Sequence, residues 1–123
     1  MRIWKKAVLF YLGGCVYMGL ELLWRGWSHW SMFVLGGGCF LLIGRLGEVE
    51  PELPLPGKLL MGAMICTAGE LLFGLLLNRG YAIWDYRNLP LNLGGQICLP
   101  FTLLWIPVSG LALWLYRQCS RIL

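Results

Sequence analysis

Charged side chains are scarce: they make up 13% of the 123 residues, with a single aspartate, Asp85, and a single histidine, His29. A water-soluble domain of this size needs a far more polar surface, so the scarcity excludes one. One histidine leaves no room for a His-Glu-x-x-His helix, and no nucleophile stands beside a convincing base, so an enzyme is not expected. The phosphate-cradling Walker A pattern is missing as well. The five cysteines, Cys15, Cys39, Cys66, Cys98 and Cys119, are odd in number and unpaired in spacing. That argues against a disulfide framework or a zinc site and leaves them as small packing residues, with no metal or cofactor expected. The net charge of +4 comes from short basic flanks and forms no patch, so nucleic acid is not an expected partner.

What the chain has in quantity is apolar surface: 59% of its residues are hydrophobic and the mean hydropathy is +0.69. Four stretches, 7–24, 30–46, 59–77 and 97–116, approach or reach the roughly 20 helical residues that cross the hydrocarbon layer. The expected fold is an all-α integral membrane protein, one domain over 1–123, with four transmembrane helices arranged as two helical hairpins in contact with the lipid bilayer. The second stretch is the shortest, and Gly36-Gly37-Gly38 makes its regularity the hardest to read. The first stretch follows Arg2, Lys5 and Lys6 as a signal peptide would, yet it is long for one and lacks a small-residue cleavage site, so it is read as a retained helix. With an even number of spans, Arg2, Lys5, Lys6, Arg45, Lys58, Arg117 and Arg121 fall on one side and Arg25, Arg79 and Arg87 on the other. The excess of basic residues puts both termini in the cytoplasm. Residues 47–57, with Glu48, Glu50, Glu52 and three prolines, read as a solvated semi-rigid connector.

The chain also echoes itself. Gly13 and Gly19-Leu20-Glu21-Leu22-Leu23-Trp24 correspond to Gly62 and Ala68-Gly69-Glu70-Leu71-Leu72-Phe73 at an offset of 49, and Leu35-Gly36-Gly37 corresponds to Leu93-Gly94-Gly95 at 58. Nine extra residues in the second outer loop account for the difference. Two hairpins that both begin and end inside would form a parallel internal repeat; chance is the competing explanation for so short an echo. On the third helix Ala63, Cys66, Thr67, Glu70 and Gly74 form one small, polar stripe, expected to face other helices. On the first, Gly14, Tyr17, Met18, Glu21 and Arg25 share a face, so Glu21 has a cation one turn away. On the fourth, Thr102 and Ser109 share a face, and Pro100 and Pro107 are expected to interrupt the backbone ladder and expose carbonyls. Glu70 lies seven residues inside its span, about 10 Å deep at 1.5 Å per residue. There a carboxylate needs a proton or donors such as Arg25, Arg79, Trp or Tyr, and it serves either as interhelical glue or as a ligand site. The outer loop, 78–95, is aromatic, polar and turn-rich at once. Trp84-Asp85-Tyr86, with Arg79 and Arg87 close to Asp85, forms either an interfacial belt or a cap over the bundle mouth. His29, within Trp27-Ser28-His29-Trp30, reads as an interfacial anchor.

Gly69-Glu70, Asn78, Trp84-Asp85-Tyr86, Pro90, Asn92, Gly95, Ile97-Cys98-Leu99 and Trp105 together resemble the ABC-transporter type IV, or CmpB-like, family of small membrane proteins. Family members carry Ser where this chain has Arg87, and the resemblance covers roughly residues 69–105. It implies a multi-helix protein of the bacterial cytoplasmic membrane with a transport role and any ATPase on a separate partner. Two classes of function fit these residues. In the first, a transport or ligand-binding protein, Glu70 and Glu21 line a polar site in the outer half of the bundle for a small polar or cationic ligand. Trp84, Asp85 and Tyr86 close that site, and Arg79, Arg25 and Asn92 contribute to it. A small multidrug exporter is a variant of this class, although that family's pattern around Glu21 is absent. In the second class, the chain is a non-enzymatic accessory or assembly subunit of a larger membrane complex. Four short helices enclose little volume, so a homodimer would supply a larger cavity.

Overall fold

The computed structural model describes residues 3–26, 29–78, 80 and 84–122, without the side chains of residues 24 and 25. Its elements run α1 (Ile3–Arg25), α2 (Trp30–Val49), α3 (Leu55–Leu77), a short hairpin of β1 (Asn92–Leu93) and β2 (Ile97–Cys98), and α4 (Leu99–Ile122). All four helices are long and apolar enough to cross a membrane. Each runs several residues past the apolar stretch at one end or both, because a helix keeps bonding its own backbone after the sequence turns polar. Among the described residues, α1 begins at Ile3 and α3 at Leu55, four residues ahead of the apolar runs expected to start them. Pro56 in the first turn of α3 favours that start, since its fixed φ suits a position whose N–H has no helical partner. His29 is the N-cap of α2: its Nδ1 accepts from the Ser31 backbone N–H at 3.2 Å.

α2 is the hub. It packs against all three other helices, and 44% of its most apolar window is buried, against 17% for α1 and 11% for α4. Its glycines are regular helix, and the reason lies in α1. A Cβ on Gly36 would overlap the Tyr17 ring and one on Gly37 would overlap Phe10, while on α1 a Cβ on Gly13 or Gly14 would overlap Phe40 or Phe33. Aromatic rings of each helix thus lie over glycines of the other. In lipid, where burial of apolar surface gives no advantage, such close backbone approach and van der Waals contact hold helices together. The core continues through Met32, Leu35, Cys39 and Ile43 of α2 to Cys66 of α3, with a second cluster of Leu9, Phe40 and Tyr116 at the end of the bundle where both termini lie. α1 packs mainly on α2 and α4 mainly on α3, whereas α1 and α4 barely touch.

Two sequence expectations change. Leu35-Gly36-Gly37 is helical, but Leu93-Gly94-Gly95 enters a turn in which Gly94 and Gly95 have φ of 61° and 70°. The same three letters therefore adopt different backbones, and this part of the echo has no structural counterpart. Pro100 does not break α4 either: the helix starts at Leu99, so Pro100 occupies its first turn and removes no ladder bond, while Pro107 lies inside. The hairpin, with Asn92 opposite Cys98 and Leu93 opposite Ile97, takes the two residues that were expected to begin this helix.

Gly36→Leu is expected to destabilise the fold by about 1–3 kcal/mol through overlap with Tyr17. Equilibrium unfolding in detergent would measure it, and an unchanged midpoint would contradict the interlock.

Candidate functional site

Glu70 sits on the buried stripe of α3, with Gly62, Ala63, Cys66 and Gly74. Only 3% of it is exposed, and each carboxylate oxygen has its own ring donor. Trp105 of α4 donates its indole N–H to Oε1 at 2.6 Å, and Tyr86 of the connecting loop donates its hydroxyl to Oε2 at 2.9 Å. Both distances are those of well-formed hydrogen bonds. Both rings are held in turn: Tyr86 stacks on Phe101 at 4.8 Å and 12°, and Trp105 meets Tyr17 edge-on at 5.5 Å. One turn further into the bundle the Thr67 hydroxyl donates to that of Thr102 at 3.1 Å, a second polar tie between α3 and α4. Burial pushes the Tyr86 phenol well above its ordinary range, so it keeps its proton and remains a donor.

The loop can place Tyr86 because its base is tied by side chains that replace secondary structure. Asn78 ends α3, and its carboxamide nitrogen donates to the Trp84 carbonyl at 2.6 Å and to Gln96 Oε1 at 3.0 Å, while its oxygen accepts from the Trp84 backbone N–H at 3.2 Å. Gln96 returns a bond to the Asn78 carbonyl at 3.0 Å, and the Trp84 indole donates to the Gln96 carbonyl at 2.9 Å. Asn78 is 1%, Gln96 4% and Trp84 6% exposed, so these bonds form away from water, where leaving any one unmade is costly. Gln96 fits only because position 74 is glycine: a Cβ there would overlap its side chain. Farther out, Asn92 accepts from the Gly95 N–H at 3.1 Å and donates to the Leu89 carbonyl at 2.9 Å, shaping the turn that follows Arg87.

Beside the Glu70 site a cavity of about 290 Å³ opens in the gap between α1 and α4. Most of its wall is apolar. Glu21, Tyr17, Tyr86 and Trp105 supply the polar groups, and Glu21 lies within electrostatic range of Glu70. An apolar cavity with the Glu21 carboxyl and three aromatic rings in its wall, and Glu70 just behind two of those rings, can receive a cation or a hydrogen-bond donor attached to an apolar body.

The expected site residues therefore separate. Glu70 and Tyr86 are bonded to each other, and Glu21 borders the adjoining cavity. Trp84 is committed to the loop base and Asn92 to the turn. Asp85 points away from the cavity and pairs with Arg87, Nη2 to Oδ2 at 2.7 Å and Nε to Oδ1 at 2.9 Å. Arg87 thus serves a surface fork. Arg79 and the Arg25 side chain lie outside the described residues, and with them the expected Glu21–Arg25 pair. The sequence reading did not assign Trp105 as the second donor to Glu70, nor Gln96 as part of the loop base. Trp105 shares a helix face with Thr102 and Ser109 at i, i+3 and i+7, a spacing that could have singled it out.

Four apolar helices wrapped around a hydrogen-bonded carboxylate define a multi-pass membrane protein with a polar interior. No curated protein and no solved structure matches the chain. Residues 13–122 match the family described as Putative ABC-transporter type IV, and the chain belongs to that family. The match runs from the middle of α1 to the end of α4 and includes residues 69–105.

Asn78→Ala is expected to cost about 1–3 kcal/mol by leaving buried partners unsatisfied and to raise amide exchange across residues 84–98. Unaltered exchange there would show that Asn78 does not hold the loop. Arg87 holds the Asp85 carboxyl down at about 2, below its ordinary 3.8. A depressed folded-state pKa gives stability that is present above the unfolded value and lost as pH falls through the folded one. The difference in melting temperature between wild type and Asp85→Asn should accordingly shrink from about pH 4 to about pH 2, and a constant difference would contradict the fork.

Proposed function

We propose that the protein is a membrane transport or ligand-binding component whose polar site lies in the half of the bundle nearer the 78–95 loop. Glu70 and Glu21 are its carboxylates, Tyr86 and Trp105 orient Glu70, and the ligand is a small polar or cationic molecule. Family membership and four apolar helices fit a membrane transport-related role. The observation that carries the finer reading is a buried carboxylate whose two ring donors, Tyr86 and Trp105, themselves line a cavity that Glu21 borders. Glue alone needs Glu70 and its donors; it does not need the cavity or Glu21.

Because the chain carries no nucleotide-binding motif, coupling to ATP in this reading rests with a separate ATPase. The charge asymmetry of the connectors supports cytoplasmic termini in a bacterial inner membrane, which places the loop outside. A second reading, an accessory subunit of a larger membrane complex, is favoured by the lightly buried α1 and α4, whose apolar flanks would also suit another helix or a second copy.

Tetraphenylphosphonium binding to the protein in nanodiscs provides the test. Glu70→Gln is expected to weaken binding about tenfold, as removing a negative charge from behind the cavity wall would in a low-dielectric bundle. Glu21→Gln should weaken it less, and the melting temperature of each variant separates loss of the site from loss of the fold. Equal binding by wild type and both variants would end the site proposal. Stable copurification of another membrane protein with all three would favour the accessory reading.

A further inference from the structure

The end of the bundle where both termini lie holds a second cavity, of about 570 Å³, in which neither Glu70 nor the loop takes part. α2, α3 and α4 wall it, and its charged lining is Lys58, Arg117 and Arg121 against Glu48. That carboxylate is already engaged: Glu48 pairs with Arg45 at 3.5 Å and accepts a hydrogen bond from Tyr116. Lys58 reaches the Pro51 carbonyl at 3.4 Å, too long for a strong bond. Arg117 and Arg121 stand one turn apart on α4, where like charges repel unless an anion lies between them. The start of α3 adds to the field. Its cap residue, Pro54, makes no side-chain hydrogen bond, its first turn carries no acidic residue, and Leu55 borders the cavity. Backbone N–H groups at such an end favour an anion.

Three cations and a helix N-terminus specify an anion; the remaining walls specify which kind. Leu59 and Leu113 line the apolar side, and Trp114, 59% exposed, stands at the rim in the last turns of α4, where an interfacial tryptophan belongs. A free inorganic ion has no use for an apolar wall or an aromatic rim, whereas a lipid uses both and reaches the cavity from the bilayer itself. We infer that this cavity binds the phosphate group of an anionic phospholipid, with its glycerol and first methylenes along the leucine side. The inference is independent of the Glu70 reading and shares no residue with it.

The test is binding of phosphatidylglycerol to the protein in phosphatidylcholine nanodiscs, counted by native mass spectrometry across a titration. Arg117→Gln with Arg121→Gln should weaken binding about thirtyfold and Lys58→Gln about fivefold, while Lys5→Gln with Lys6→Gln, on α1 away from the cavity, should match wild type. If the double arginine variant does not melt cooperatively, Arg121→Gln alone serves, with about a fivefold loss expected. Retention of the lipid by the arginine variants overturns the inference. So does an equal loss in the α1 lysine variant, which would mean diffuse surface charge, or displacement of the lipid by millimolar inorganic phosphate, which would mean a soluble-anion site.

Discussion

A carboxylate inside an apolar bundle has to be met by donors, and the way Glu70 is met organises the half of the molecule around it. Its donors come from two different elements, Tyr86 on the loop and Trp105 on α4, so one side chain ties α3 to both. Bringing the Tyr86 hydroxyl inward requires the chain after α3 to fold back over the bundle rather than cross directly to α4. Asn78, Trp84 and Gln96 make that fold possible by bonding one another where no regular structure is available. The polar and aromatic residues at the base of this connector, Asn78, Trp84 and Gln96, follow from the requirement that a buried backbone leave no polar group unmet.

The other half is held without charge. α1 and α2 interlock rings over glycines, a packing that needs small residues at matched heights and nothing polar. The contrast leaves a seam. α1 follows α2, α4 follows α3, and the gap between α1 and α4 becomes the cavity beside Glu70. Glu21 and Glu70 occupy corresponding places in the two echoed segments, yet one borders this gap and the other is sealed behind Tyr86 and Trp105. The symmetry suggested by the letters is broken by the loop, which only the second segment possesses.

Charge is divided along the bundle. Cations are in excess at the end with the termini, where Lys58, Arg117 and Arg121 line one cavity with Glu48, while Glu21 lines the cavity toward the loop. Exposed charges more than about 8 Å apart are screened from one another by salt, but across an apolar bundle the screening is weaker. The two cavities therefore differ in lining, Glu21 with Tyr17, Tyr86 and Trp105 in one and Lys58, Arg117 and Arg121 with Glu48 in the other. Membership in the ABC-transporter type IV family places this arrangement in a transport-related setting.

Four helices, their approximate extents and the stripe that carries Glu70 were legible in the letters, because apolar run length and 3.6-residue spacing are local properties. The roles of Trp105 and Gln96 were not. Each depends on a partner 18 or 35 residues away, Asn78 for Gln96 and Glu70 for Trp105, and no local pattern encodes which of seven tryptophans will meet a given carboxylate. Asp85 and Tyr86 show the same limit at closer range: adjacent in sequence, one turns to solvent and Arg87 while the other turns inward to Glu70. By itself the sequence determined that this chain lives in a membrane, crosses it four times and carries a carboxyl group within. Only the tertiary structure decided which groups satisfy that carboxyl and where the gaps fall, since those follow from how the helices and the loop pack together.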